Sequence, residues 1–322
     1  MLQGCRMKIQ KLALAVVGVS LTLLATGELF TRFVLGLGTP PLSVTHPQIE
    51  YLFQPSQDVW RFHNHVHINA WSMRSQEFPR SKVTPREFRI LMLGDSIING
   101  GNLNDDSELA SHLLAADLSQ AWGRPVTVGN ASAGSWGPPN MLAYVENFGF
   151  FDADAVVIVL SSHDADDAPS FAPLNPDTHP VTRPMFALGE AVTRYLPRYV
   201  PALAAAQSAN QPISQSARQW ALGDLKKLGL LASSKSRHVL LFLHWTRAEV
   251  VSNTLEEGNA LLETEGRSAQ IQVIQLGPWF ANALAGGARP EDLYRDELHP
   301  TRDGQRLIAN AIRQTLLERL PK

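Results

Sequence analysis

The segment Ala155–Leu160 (AVVIVL) is apolar at every position and mostly β-branched. Such a run suits a strand covered on both faces, which demands a parallel sheet with helices packed above and below it. Comparable runs recur along the chain. Phe88–Leu93 (FRILML) ends in Gly94, Val126–Val128 is a short strand ending in Gly129-Asn130, and His238–Leu243 (HVLLFL) and Ile271–Leu276 follow. Helical spacing lies between them. Residues 109, 113, 114 and 118 share one face of Glu108–Leu118, and Ser214 caps a helix running to about Leu228. A last helix after Thr301 buries Leu307, Ile308, Ala311, Ile312 and Leu316. Alternation of this kind predicts an α/β fold with a parallel five-stranded sheet and helices on both faces.

The two ends of this pattern differ from it. Residues 12–27 (LALAVVGVSLTLLATG) carry no charge, and Arg6, Lys8 and Lys11 precede them. Basic residues before an apolar run hold that end in the cytoplasm. Sixteen uncharged residues exceed a signal-peptide core and fall short of the roughly 20 of a full span. Lys11 and Glu28 can reach outward to the headgroups, so the segment reads as an uncleaved single-pass anchor in the inner (plasma) membrane. Ala25-Thr26-Gly27 offers a small-residue cleavage site as the alternative. Either way the remainder is extracytoplasmic (periplasmic). The expected organisation is a cytoplasmic stretch at 1–11, an anchor or signal at 12–30, an irregular proline-rich connector at 31–86, and a main domain at 87–322. Within that domain, about 165–214 is rich in Pro and Ala and reads as an insertion.

Lys plus Arg number 28 against 30 Asp plus Glu. A net charge of −2 argues against nucleic acid as a partner. The single cysteine, Cys5, excludes an intramolecular disulfide and a multi-cysteine metal site.

Ligands of such sheets bind beyond the carboxyl ends of the strands, so the polar residues there carry the chemistry. The first strand is followed by Gly94-Asp95-Ser96, a tight turn that can present a serine hydroxyl. Near the chain's end, Asp296-Glu297-Leu298-His299-Pro300 precedes the last helix. A serine needs a neutral imidazole to take its proton and a carboxylate to orient that imidazole. The spacing of Asp296 and His299 lets them meet across one turn. Gly134, after the second strand, can turn a backbone N–H toward an oxyanion.

These blocks resemble the SGNH hydrolases, the GDSL-type esterases, over about residues 88–319. The resemblance implies a flavodoxin-like sheet, no cofactor and no metal. It implies Ser96 as nucleophile, His299 and Asp296 as its partners, and the N–H groups of Ser96 and Gly134 in an oxyanion hole. One block departs from the pattern. Where the family has Gly-x-Asn-Asp after the third strand, this chain has Ser161-Ser162-His163-Asp164. His163 is then the candidate replacement for the asparagine donor, or a substrate contact. Both hydrolysis of an acylated carbohydrate or other ester and O-acyl transfer, fed by a membrane acyl-donor partner, are open. A non-catalytic polysaccharide-binding protein on the same fold is the third reading.

Three further features invite roles. His63, His65 and His67 alternate as zinc ligands on a strand do, but the segment reads better as a polar arm. Asn69–Ser75 (NAWSMRS) resembles a stretch preceding the catalytic domain in membrane-anchored members of the family. Asp164, Asp166 and Asp167 read as a solvated acidic loop, and Trp136, Phe171, Trp245 and Trp279 as either a sugar platform or core.

Overall fold

A computed structural model describes residues 2–200 and 214–319. Part of the expected insertion, 201–213, and the last residues of the expected main domain, 320–322, lie outside it.

The chain begins with α1 (Leu2–Phe33), of which Gln10–Phe33 is long and apolar enough to cross a membrane. Its leucines and valines from Leu12 to Leu24 stand exposed. The stretch expected to be irregular instead forms two antiparallel hairpins, β1 (Ser43–His46) with β2 (Glu50–Phe53) and β3 (Gln57–Arg61) with β4 (Asn64–Ile68). Their strands have only four or five residues. That is too short for alternation to stand out among prolines.

The central sheet contains β5 (Phe88–Gly94), β6 (Val126–Ser132), β7 (Ala155–Ser161), β8 (His238–His244) and β9 (Gln272–Gln275). All pairings are parallel and the spatial order is β6-β5-β7-β8-β9, the flavodoxin-like arrangement. Strand β6 does not end at Gly129-Asn130 as expected. The Asn130 amide donates to the Ile98 carbonyl and its oxygen accepts from the Ser132 hydroxyl. With its side chain satisfied, the residue stays in the strand instead of opening a turn.

Alternate strand residues feed two cores. Ile90, Met92, Val157, Val159 and Phe242 pack with α3 (Ala110–Trp122) and with the last helix of the chain. Leu91, Leu93, Val156, Ile158 and Leu241 pack on the other face with α4 (Pro138–Phe148). Burying one leucine side chain is worth roughly 2 kcal/mol, so both faces must be covered for a strand such as β7 to be stable.

Several short elements connect these. The one-turn α2 (Ser96–Asn99) follows β5. A helical stretch runs from α5 (Ala187–Glu190) through a π turn at Ala191–Tyr195 to α6 (Leu196–Tyr199). Helix α7 (Gln215–Lys235) outlasts the expected end at Leu228, because Leu228, Gly229 and Ala232 are all buried against its neighbours. Then come α8 (Arg247–Ser252), α9 (Glu257–Ser268), α10 (Gly277–Ala285), α11 (Pro290–Leu293) and α12 (Arg302–Arg319).

Candidate active site

The strand order reverses between β5 and β7, which opens a crevice at their carboxyl ends. Ser96 sits there as the first residue of α2. A side chain at Gly94 would lie 2.9 Å from the Val159 carbonyl oxygen and 2.8 Å from Ile98, so only glycine lets the turn pack this tightly. Asp95 is fully buried, and one of its oxygens caps α2 by accepting the Ile97 N–H at 2.8 Å. Gly100, at φ +73°, ends the helix after one turn. The Ser96 N–H belongs to the first helical turn and has no acceptor within the helix.

His299 reaches this serine from the loop before α12. Its Nε2 lies 2.9 Å from Ser96 Oγ, and its Nδ1 lies 2.8 Å from Asp296 Oδ2. Asp296 also accepts the N–H groups of Leu298 and His299, at 2.9 and 2.8 Å. Partial burial works to raise the Asp296 pKa, but these N–H groups and the imidazole outweigh it and hold the carboxyl below its ordinary range. The expected approach of Ser96, His299 and Asp296 across 203 residues of sequence is therefore present as a geometry.

Gly134 lies at the tip of β6, beside the same crevice. Its carbonyl accepts from Tyr51 Oη at 2.5 Å, so the β1–β2 hairpin braces this loop. A cavity of about 480 Å³ joins the pieces. Ser96, Gly134 and His299 line it together with Tyr51 from the β1–β2 hairpin, Asn99 and Asn102 from the main domain, and His179 and Arg194 from the insertion.

His163 follows β7 on the other side of Asp95. Its Nδ1 is hydrogen-bonded with the Ser161 hydroxyl at 2.6 Å, and its Nε2 faces Asp95 Oδ2 at 3.3 Å and Asp164 Oδ1 at 3.7 Å. Nδ1 thus has a hydrogen-bond partner, whereas Nε2 lies beside two carboxylate oxygens as an ion-pair neighbour. Burial alone would lower this imidazole's pKa. The carboxylates of Asp164, Asp95 and Asp167 outweigh it and push the pKa up to about 10. Asp95, His163 and Asp164 bring ligand-type atoms within 4.8 Å of one another.

Other expectations change with the structure. The acidic loop is not solvated: Asp164 is buried and accepts the Ser161 N–H, and Asp166 is paired with Arg218 at 2.6 Å. His63 lies in a left-handed turn before β4 and so does not share a strand face with His65 and His67. His65 pairs with Asp58 across the hairpin, 2.6 Å away. Trp136 and Trp245 are buried, so neither is an open sugar platform, while Phe171 is exposed and Trp279 lies in the core layer against α12.

Some contributors escaped the sequence reading. Arg74, within the NAWSMRS stretch, is buried and donates to the carbonyls of Asn99, Gly101 and Asn104 and to Asp106 Oδ1. It clamps the loop that follows the serine. His244 ends β8, and its Nε2–H donates to the Leu298 carbonyl at 3.1 Å. Burial lowers its pKa to about 4, so it is neutral and steadies the segment carrying His299. Gln305 of α12 donates to the Ile97 carbonyl and accepts the Ala110 N–H, linking α12 to α2. A histidine immediately after a buried strand was the one available signal, and it pointed to His244.

No family model matches the chain, and no curated protein sequence matches it. Solved structures of similar architecture include LAE5, an α/β hydrolase enzyme from the metagenome of Lake Arreo, Spain. It is 15% identical, with a TM-score of 0.46, over 70% of this chain and 93% of that one. Axe2, an acetylxylan esterase from Geobacillus stearothermophilus, is 15% identical with a TM-score of 0.45, over 71% and 94% of the two chains.

Proposed function

We propose that this chain is a membrane-anchored, extracytoplasmic serine esterase that removes O-acyl groups, acetyl above all, from a carbohydrate. The observation that carries the reading is the relay of Asp296 to His299 Nδ1 at 2.8 Å and His299 Nε2 to Ser96 Oγ at 2.9 Å. In the first step Ser96 Oγ attacks the acyl carbonyl while His299 takes its proton. The oxyanion is held by the N–H groups of Ser96 and Gly134. Collapse of the tetrahedral adduct breaks the ester bond, and His299 returns the proton to the departing sugar hydroxyl. Water, deprotonated by His299, then releases the acid from the acyl-serine. His163 faces Asp95, the residue that caps α2, and so helps to hold the turn that carries Ser96. The amides of Asn99 and Asn102, the Ser135 hydroxyl and the ring of Tyr51 around the cavity suit a hydroxylated substrate.

Ser96→Ala tests this directly. Hydrolysis of 4-nitrophenyl acetate should fall to background while thermal unfolding is unchanged, and equal activity in the variant would refute the assignment. Labelling of Ser96 by a fluorophosphonate, absent in the variant, separates an enzyme from a binding protein on the same scaffold.

Acyl transfer is the second reading, favoured by the insertion that packs on α1 and also lines the cavity. A sugar hydroxyl would then replace water as acceptor, with the acyl group supplied by a membrane partner. Incubation with an acetyl donor and candidate glycans distinguishes the two, since acylated sugar marks transfer and free acetate marks hydrolysis.

A further inference from the structure

The insertion meets α1 deep in its last turns. A side chain at Gly27 would touch the Leu188 side chain at 3.2 Å, and Glu28 accepts the N–H groups of Ala187 and Leu188 at 3.1 and 2.9 Å. Glu28 is in turn paired with Arg32 at 2.6 Å. A span that starts after Lys11 fills about 30 Å of hydrocarbon by about residue 31, at 1.5 Å per residue. Leu188 therefore meets α1 at or just below the level of the headgroups.

The stretch from Ala187 to Tyr199 has two faces. Glu190 turns inward, where Arg61 donates to it at 3.0 Å and the Gly38 N–H at 2.7 Å. Tyr195 accepts from Arg61 on the same side, and Arg194 lines the cavity. The other face carries Leu188, Val192, Leu196 and Tyr199, spaced four, four and three apart. Leu188 sits against α1, and the remaining three continue outward from it with Val192 50% and Tyr199 82% exposed. Phe186, just before the helix, lies on the other side, in a groove with Glu190 and Arg194. An apolar stripe beginning on a membrane-spanning helix, at the depth of the lipid boundary, has the bilayer as its continuation.

We infer that residues 187–199 form an interfacial membrane helix whose Val192, Leu196 and Tyr199 side chains enter the headgroup–acyl boundary beside α1. The opposite face of this helix forms part of the cavity wall. The cavity over Ser96 then opens within about one helix diameter, 10–12 Å, of the lipid surface. The substrate is accordingly an acyl ester presented at the membrane, on a lipid-linked or emerging glycan. The inference rests on the proposed anchor role of α1.

The full chain carrying Cys5→Ser tests it, with a single cysteine introduced as Val192→Cys, Leu196→Cys or, as control, Val83→Cys, an exposed site at the opposite end of the sheet. Each is labelled with an NBD fluorophore and reconstituted in phosphatidylcholine–phosphatidylglycerol vesicles. The chain should float with the vesicles. Labels at 192 and 196 should emit at shorter wavelength, be quenched by shallow doxyl lipids and resist iodide, and the label at 83 should do none of these. A chain that floats while the labels at 192 and 196 stay accessible to iodide would overturn the inference and leave the anchor standing. Shielding from both iodide and lipid would also overturn it, because a second protein surface would then cover the stripe. Failure to float would remove the anchor role and the inference together.

Discussion

Two histidine loops flank the Gly94–Asp95–Ser96 turn, and carboxylates give them opposite properties. His299 faces one carboxylate, on an exposed loop, and its second nitrogen meets the serine. His163 faces Asp95, Asp164 and Asp167, with Nδ1 on the Ser161 hydroxyl and Nε2 beside the Asp95 and Asp164 carboxyls. One acid holds an imidazole with its second nitrogen turned to a serine hydroxyl. Around the other, neighbouring acids outweigh burial and raise the pKa. The role open to a histidine beside a serine therefore depends on how its partners are arranged.

The sharpest break of this comparison is His299→Ala. It should lower kcat/KM for an acetyl ester on the order of 10⁴-fold or more with little change in thermal stability. Comparable loss from His163→Ala in a steady-state assay would erase the distinction between the loops. Arg74→Met comes next. Removing a buried cation that holds Asp106 and three carbonyls should cost about 3–5 kcal/mol in urea unfolding, and kcat should fall as the loop after Ser96 loosens. A stability change near zero would show that the clamp is dispensable.

His163→Leu should have a smaller effect, because 39% of the side chain is exposed. Losing the cation leaves Asp95 and Asp164 without a counter-charge, which should cost about 1–3 kcal/mol and reduce kcat at unchanged KM. The smallest effect is in pH dependence. The His163 pKa is raised from 6.5 in the free side chain to about 10. Its contribution to stability is complete below 6.5 and is lost as pH rises through about 10. Melting temperature should therefore decline across that window, and His163→Gln should flatten the decline. A slope unchanged by the substitution would assign it to other groups.

The reach of the sequence follows the same division. Strand β7 was legible because burial on both faces leaves an unbroken apolar run, and the turn at Ser96 because glycine and a capping aspartate mark it. Asp296 and His299 lie three residues apart, so their meeting is a local matter. The surroundings of His163 were not legible, since Asp95 comes from a different strand and its unshared oxygen becomes visible only when β5 and β7 pair. Arg74 was hidden for a related reason. Its partners span Asn99 to Asp106, and nothing near Arg74 indicates that a buried guanidinium will close on them. The hairpins of 43–68 escaped because their strands are only four or five residues long and because Tyr51 finds its partner at Gly134, beyond β6.

The Glu28 carboxylate that holds the Ala187 and Leu188 N–H groups has a practical consequence for enzymology. Trimming the chain after Phe33, the usual route to a soluble preparation, takes away the side chain that, among the described residues, caps the first turn of α5. Measurements on such a shortened protein would report a cavity with one wall unfastened.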